Sequence, residues 1–166
     1  MVHLPTILLP LSILANLNLV FSTPHSPKPK PIQSHPASSI ITLLNLTANP
    51  EKGYFTQTFL DPDVVPGTNR SLSTAIYYLL EGREGQSLWH RVDQAETWHF
   101  YAGAPLELSL SWDDGSAVRK VGVGEWQSAT SLGPGAWSLV GTTVAPGFTE
   151  DGYEIAPPGW TPRGAK

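Results

Sequence analysis

The segment of this chain richest in reactive groups is WHRVDQAETWHFYAG, residues 89–103. It offers imidazoles at His90 and His99 and a carboxylate at Glu96. With a tight turn over 93–95 between two strands, residues two apart share a face. His90 and Val92 then point one way, and Glu96, Trp98 and Phe100 share a face on the next strand. His90 and Glu96 can meet inside, whereas His99, of opposite parity, points out. Three chemistries suit such a pair. As an acid–base pair, Glu96 orients or charge-stabilises His90, which exchanges a proton with a carbon acid, and Tyr78 or Tyr54 supplies the complementary acid. As a divalent-metal set, His90, Glu96 and Gln127 are weak candidates, because neither Val92 nor Gln127 adds an imidazole. In the third reading the pair lines a polar pocket that holds a small molecule or satisfies itself. This last reading requires no cofactor.

The same parity sorts the neighbours. Trp98 shares the inward face of Glu96 and makes a pocket wall. Gln127 and Phe148, the latter an aromatic plug after the turn at Pro146-Gly147, are further pocket candidates. Arg91 points outward as a surface or dimer ion-pair residue, and His99 suits interface packing. Trp89, Trp126 and Trp137 read as core.

The elements that must position these groups are short strands. A helix capped by Ser38 or Ser39 runs to Asn45, with Ile40, Leu43 and Leu44 as its apolar stripe. Strands are expected over 53–59, 72–80, 87–92, 96–101, 106–112, 117–123, 126–130, 136–144 and 153–155, with a Pro- and Gly-containing loop over 61–69. Many short strands at regular spacing, with no helices alternating between them, specify an all-β sandwich or barrel rather than a parallel α/β sheet.

Bulk composition agrees. The chain has 166 residues, enough for one domain. Its 16 Pro, 15 Gly and 14 % charged residues favour turns and strands over long helices. A net charge of −4, with no basic cluster, argues against a nucleic-acid partner. There is no cysteine, which excludes disulfides and thiolate chemistry.

The ends fall outside the expected domain. Residues 4–21 are apolar and uncharged, but Pro5, Pro10, Asn16 and Asn18 interrupt them. A secretory signal peptide over 1–22, with small residues before a cut near Val20 and Ser22, fits better than a stable membrane span. The expected product is secreted, and the triplets beginning at Asn45 and Asn69 would then be glycosylation acceptors. A Pro-rich disordered spacer is expected over 23–37, the folded domain over 38–157 and a flexible tail over 158–166.

The His90–Glu96–Gly103 spacing resembles the first motif of the cupin superfamily, His-x-His, three or four residues, Glu, six residues, Gly. The second motif, Pro-x-Gly-x-x-His, would fall on 122–127, with Gly122 for its proline and Gln127 for its histidine. A narrower resemblance covers most of 39–157. NPEKGYF (49–55), STAIYYLL (73–80), HRVDQAETWHFYAGAPLEL (90–108) and LVGTTVAPGF (139–148) are similar to the signatures of the cupin group called domain of unknown function 985, or Cupin-5. That resemblance implies a double-stranded β-helix (jelly-roll) barrel, a homodimer and no settled activity. The wider superfamily includes sugar-nucleotide epimerases that use a His base and a Tyr acid without metal, so an isomerase of that kind is the enzymatic alternative. Here Asn49 and Lys52 replace the His and first Gly of the first signature. Family members also carry about one more strand, typically ~5–6 residues, between the positions of Val121 and Gly122. The barrel is therefore expected to be incomplete there, through dropped coding sequence or, less in keeping with the intact flanking motifs, a degraded copy.

Overall fold

The computed structural model describes residues 30–115 and 124–164. The expected strand over 117–123 and the Val121–Gly122 junction lie outside these residues, as does the apolar leader. Among the described residues no helix is long and apolar enough to cross a membrane.

Among the described residues one short helix, α1 (Ala37–Leu43), precedes nine strands: β1 (Thr47–Ala48), β2 (Tyr54–Leu60), β3 (Thr74–Glu81), β4 (His90–Val92), β5 (Ala95–Gly103), β6 (Leu106–Ser111), β7 (Trp126–Ser131), β8 (Trp137–Ala145) and β9 (Tyr153–Ile155). They form two antiparallel sheets, ordered β1-β2-β3-β8-β5 and β6-β7-β4-β9. The fold is thus mostly β, a two-sheet sandwich with one N-terminal helix, as the strand spacing and the resemblance implied.

The alternation of TAIYYLLE in β3 explains how the layers stack. Tyr78 and Leu80 point into the sandwich and pack with Ala129 and Val140, with Phe55, Ile76, Trp98 and Leu106 around them. Leu79 points the other way, where Ile40 and Ala37 of α1 cover it together with Leu139 and Trp137. Each such buried aliphatic side chain contributes about 1.5–3 kcal/mol relative to exposure. A third cluster, Trp89, Trp126 and Ala156, closes one end of the smaller sheet.

Parts of the expected spacer and tail are packed. Residues Ile32–Ser34 form a 3-10 turn, and the Trp137 indole N–H donates to the His35 carbonyl at 2.8 Å. At the other end Trp160 lies 4.5 Å from the Trp126 ring, and the Arg163 amide donates to Asp113.

Phe100 departs from the parity reading. It shares the register of Glu96 and Trp98 but is 57 % exposed. Among the described residues β5 is the edge of its sheet, and its pairing with β8 shifts register between Phe100 and Ala102.

Candidate functional site

A cavity of about 70 Å³ opens between the two sheets. A water needs about 10–15 Å³ in this measure, so the space suits a handful of waters or a ligand of few atoms. Its polar lining includes His90, Glu96, Glu51 and Asn49. Trp98, Tyr78, Phe148 and Tyr153 form aromatic walls, and Ile76, Val92 and Val144 add aliphatic surface. β4 delivers His90 and Val92 inward, both buried, while Arg91 between them is exposed. β5 delivers Glu96 and Trp98 on one face, and His99 points out, its Nε2 3.2 Å from Thr143 Oγ1. Arg91 pairs on the surface with Glu154 and lies 4.9 Å above the Trp126 ring.

His90 and Glu96 line the same cavity but do not pair with each other. The His90 carboxylate partner is Glu51, whose Oε2 lies 3.2 Å from Nδ1. The Leu88 carbonyl oxygen also lies 3.2 Å from Nδ1. With two oxygen acceptors there, the partners assign a proton to Nδ1, and in the neutral ring Nε2 keeps its lone pair. On Glu51 the other oxygen, Oε1, accepts from the Tyr153 hydroxyl at 2.7 Å. Burial pushes the Glu51 carboxyl above its ordinary range, with His90 and the Tyr153 hydrogen bond opposing and Glu96 adding a smaller upward push. Burial, then the neighbouring Glu51 charge, holds the Tyr153 hydroxyl far above the usual tyrosine range.

Glu96 is held from behind. The Gln127 side-chain amide donates to Glu96 Oε2, and Gln127 Oε1 accepts from the Trp98 indole N–H at 3.1 Å. Gln127 is almost fully buried and sits beneath these two side chains instead of lining the cavity, which corrects its reading as a pocket residue. The glutamine is a brace: one amide fixes both a carboxylate and an indole.

The two tyrosines proposed as acids are placed differently. Tyr78 is buried against the cavity, but its hydroxyl donates to the Lys52 carbonyl at 3.2 Å. Burial raises its pKa strongly, with the Glu51 charge adding to the effect. Tyr54 is on the other face of the large sheet, packed with the α1 cluster, because it pairs with Leu79. Tyr54 is therefore neither acid nor pocket residue. Phe148 does line the cavity, its amide donating to Thr74 Oγ1 at 2.9 Å. Its loop is tied down by Arg70, whose Nε donates to the Gly147 carbonyl while both terminal nitrogens reach Asp93.

Sequence reasoning missed Glu51 and Tyr153. Glu51 stands within NPEKGYF, so a signal existed there; Tyr153 opens β9 and gave none beyond its residue type.

The donor set does not suit a catalytic metal. Val92 occupies the place of the second motif histidine, the His90 Nδ1 is taken up, and one Glu96 oxygen is engaged by Gln127. Among the described residues no group of three or more His, Cys, Asp or Glu is arranged to hold an ion.

The family described as Cupin superfamily (DUF985) matches residues 38–156. The chain belongs to that family. Two solved structures are similar to this cupin. One is a hypothetical protein from Leishmania major, 26 % identical, with a TM-score of 0.64 over 74 % of this chain and 88 % of that one. The other is a protein from Shewanella oneidensis, 26 % identical, with a TM-score of 0.66 over 74 % of this cupin and 85 % of its counterpart. Comparison with curated proteins gives no match.

Proposed function

We propose that this cupin binds a small polar ligand in the cavity between its sheets, with His90 as the principal polar contact. The observation that carries this reading is the Tyr153–Glu51–His90 chain. A buried carboxylate fixes the imidazole through Nδ1 and leaves Nε2 for a ligand. The cavity volume favours a compact ligand, so a sugar-like molecule would enter by one edge only. The test is ligand screening by NMR on the wild-type chain and on His90→Ala. Loss of binding in the variant, with its spectrum otherwise that of a folded protein, supports the reading. Undiminished binding would sink it.

The same chain favours a second reading, a metal-independent isomerase with His90 as base, since a buried carboxylate behind an imidazole is the usual aid to a general base. Two features weigh against a sugar-nucleotide substrate. The Tyr78 hydroxyl is engaged by a backbone carbonyl, and no Lys or Arg among the described residues lines the cavity to meet a diphosphate. Deuterium exchange from solvent into a bound carbon acid, abolished in His90→Ala, would favour this reading over simple binding.

Secretion and homodimer formation also belong to the proposal. The apolar leader over 4–21 supports the first, and the exposed Phe100 and Tyr101 on the edge strand β5 support the second. Amino-terminal sequencing of the exported chain and sedimentation velocity test them.

A further inference from the structure

The charge and surface of the cavity go further than the word polar. Its aromatic walls come as two pairs, Tyr78 with Trp98 at 6.2 Å and Phe148 with Tyr153 at 5.5 Å. The electron-rich faces of such rings attract cations and repel anions. Two carboxylates, Glu51 and Glu96, share the lining with them. Both Glu51 oxygens are committed, to His90 and Tyr153, but Glu96 accepts from Gln127 on Oε2 alone among the described residues. Its Oε1 is left as an acceptor. The Nε2 lone pair of His90 is a second one.

The cationic side chains nearby are all turned to other tasks. Lys52 Nζ donates to the carbonyls of Glu84 and Gln86, each at 2.9 Å. Arg70 is spent on Asp93 and Gly147, and Arg91 on Glu154 and the Trp126 face. Among the described residues the cavity thus offers acceptors and aromatic rings to a ligand and no Lys or Arg.

We propose that the ligand of this cavity is a small organic cation, a primary or methylated ammonium compound, held by Glu96 Oε1 and enclosed by the Trp98, Tyr78, Phe148 and Tyr153 rings. This rests on the cavity being a ligand site at all and narrows the class that enters it. Glu96 supplies the counter-charge, and Gln127, by bracing both Glu96 and Trp98, sets the distance between carboxylate and aromatic wall. An ammonium N–H is also what the Nε2 lone pair of His90 can accept. A carboxylate or phosphate ligand would meet no Lys or Arg and would face the Glu96 carboxylate.

The test compares matched pairs on the full folded chain by titration calorimetry and NMR. Ethanolammonium is set against propan-1-ol, and choline against 3,3-dimethylbutan-1-ol, each pair alike in shape and different in charge. Glycerol and acetate complete the panel. The expected result is at least tenfold tighter binding of one cation than of its neutral match. That preference should fall towards unity in Glu96→Gln, with the affinity of the neutral compound little changed. Equal affinity within both wild-type pairs overturns the proposal, and this comparison needs no variant to fold. So does a preference for the cation that Glu96→Gln leaves intact. Glycerol binding with neither cation preferred would overturn the ammonium assignment and keep the small-ligand reading. No binding of any probe to the folded chain would overturn both.

Discussion

Glu51 Oε2 and His90 Nδ1 lie 3.2 Å apart, although one belongs to the loop before β2 and the other opens β4. The contact joins the two sheets of the sandwich across the cavity. It also turns a buried carboxylate, costly to charge on its own, into the group that sets which imidazole nitrogen is free.

The raised Glu51 pKa has a definite signature. The folded chain keeps the Glu51 proton to higher pH than the unfolded chain does, for which the ordinary value is 4.5. Between these values the folded state binds more protons, so stability is greatest on the acid side and falls as pH rises through the raised pKa. Glu51→Gln is expected to flatten this part of the profile. Urea unfolding at a series of pH values measures it, and a wild-type curve that matches Glu51→Gln throughout would refute the assignment.

Gln127→Leu strands two groups at once, the Trp98 N–H and a Glu96 oxygen, in a nearly solvent-free place. An unpaired buried group costs about 1–3 kcal/mol, so the expected loss is of that order or somewhat more. Gln127→Glu keeps an acceptor for Trp98 but faces Glu96 with a second carboxylate. Its loss should be large at neutral pH and shrink in acid, where one of the pair takes up a proton. Unfolding curves of both variants at two pH values check this.

Gly103 closes the first motif with φ of 97°, a conformation side chains rarely adopt. A Cβ there would also run into the Trp137 carbonyl of the neighbouring strand. Gly103→Ala should therefore cost about 1–3 kcal/mol, read as a lowered denaturation midpoint. Gly115→Ala is the comparison: it shares a positive φ but meets open space, so it should cost less.

The Trp137–His35 hydrogen bond makes the last part of the Pro-rich segment a fixture of the fold. Trp137→Phe removes the donor while keeping an aromatic ring, at an expected cost of about 0.5–1.5 kcal/mol. Faster amide exchange should appear in the turn over 32–34 and in the first residues of α1. Unchanged exchange there would contradict the role given to this bond.

How far the sequence speaks for the site depends on distance along the chain. The inward placement of His90, Val92, Glu96 and Trp98 follows from strand parity, because a two-residue repeat is built into an extended backbone. The place of Tyr54 follows only from parity carried across a pair of strands. It stands opposite Leu79, which faces α1, and directly opposed residues share a face. Glu51 comes from a loop of the other sheet, and Tyr153 from a strand that pairs with β4 but lies far from it along the chain. Nothing local states that they converge, since their meeting is decided by how one sheet lies on the other. Gln127 falls in the second motif, but its brace on Glu96 and Trp98 depends on the spacing between sheets. Phe100 shows the limit of parity, which gives direction and says nothing of whether an opposing layer is there to cover it.

Arg70 and Asp93 give the cavity a fastening of a different nature from the rest of its walls. Tyr78 and Trp98 are held by interlocked core, whereas the loop bearing Phe148 is anchored to the turn before β5 by an ion pair that water reaches, Asp93 being 44 % exposed. Dissolved ions weaken such a pair and leave buried packing nearly untouched. Ionic strength therefore loosens this one fastening of the Phe148 loop, while the loop's own hydrogen bonds to Ser71 and Thr74 hold.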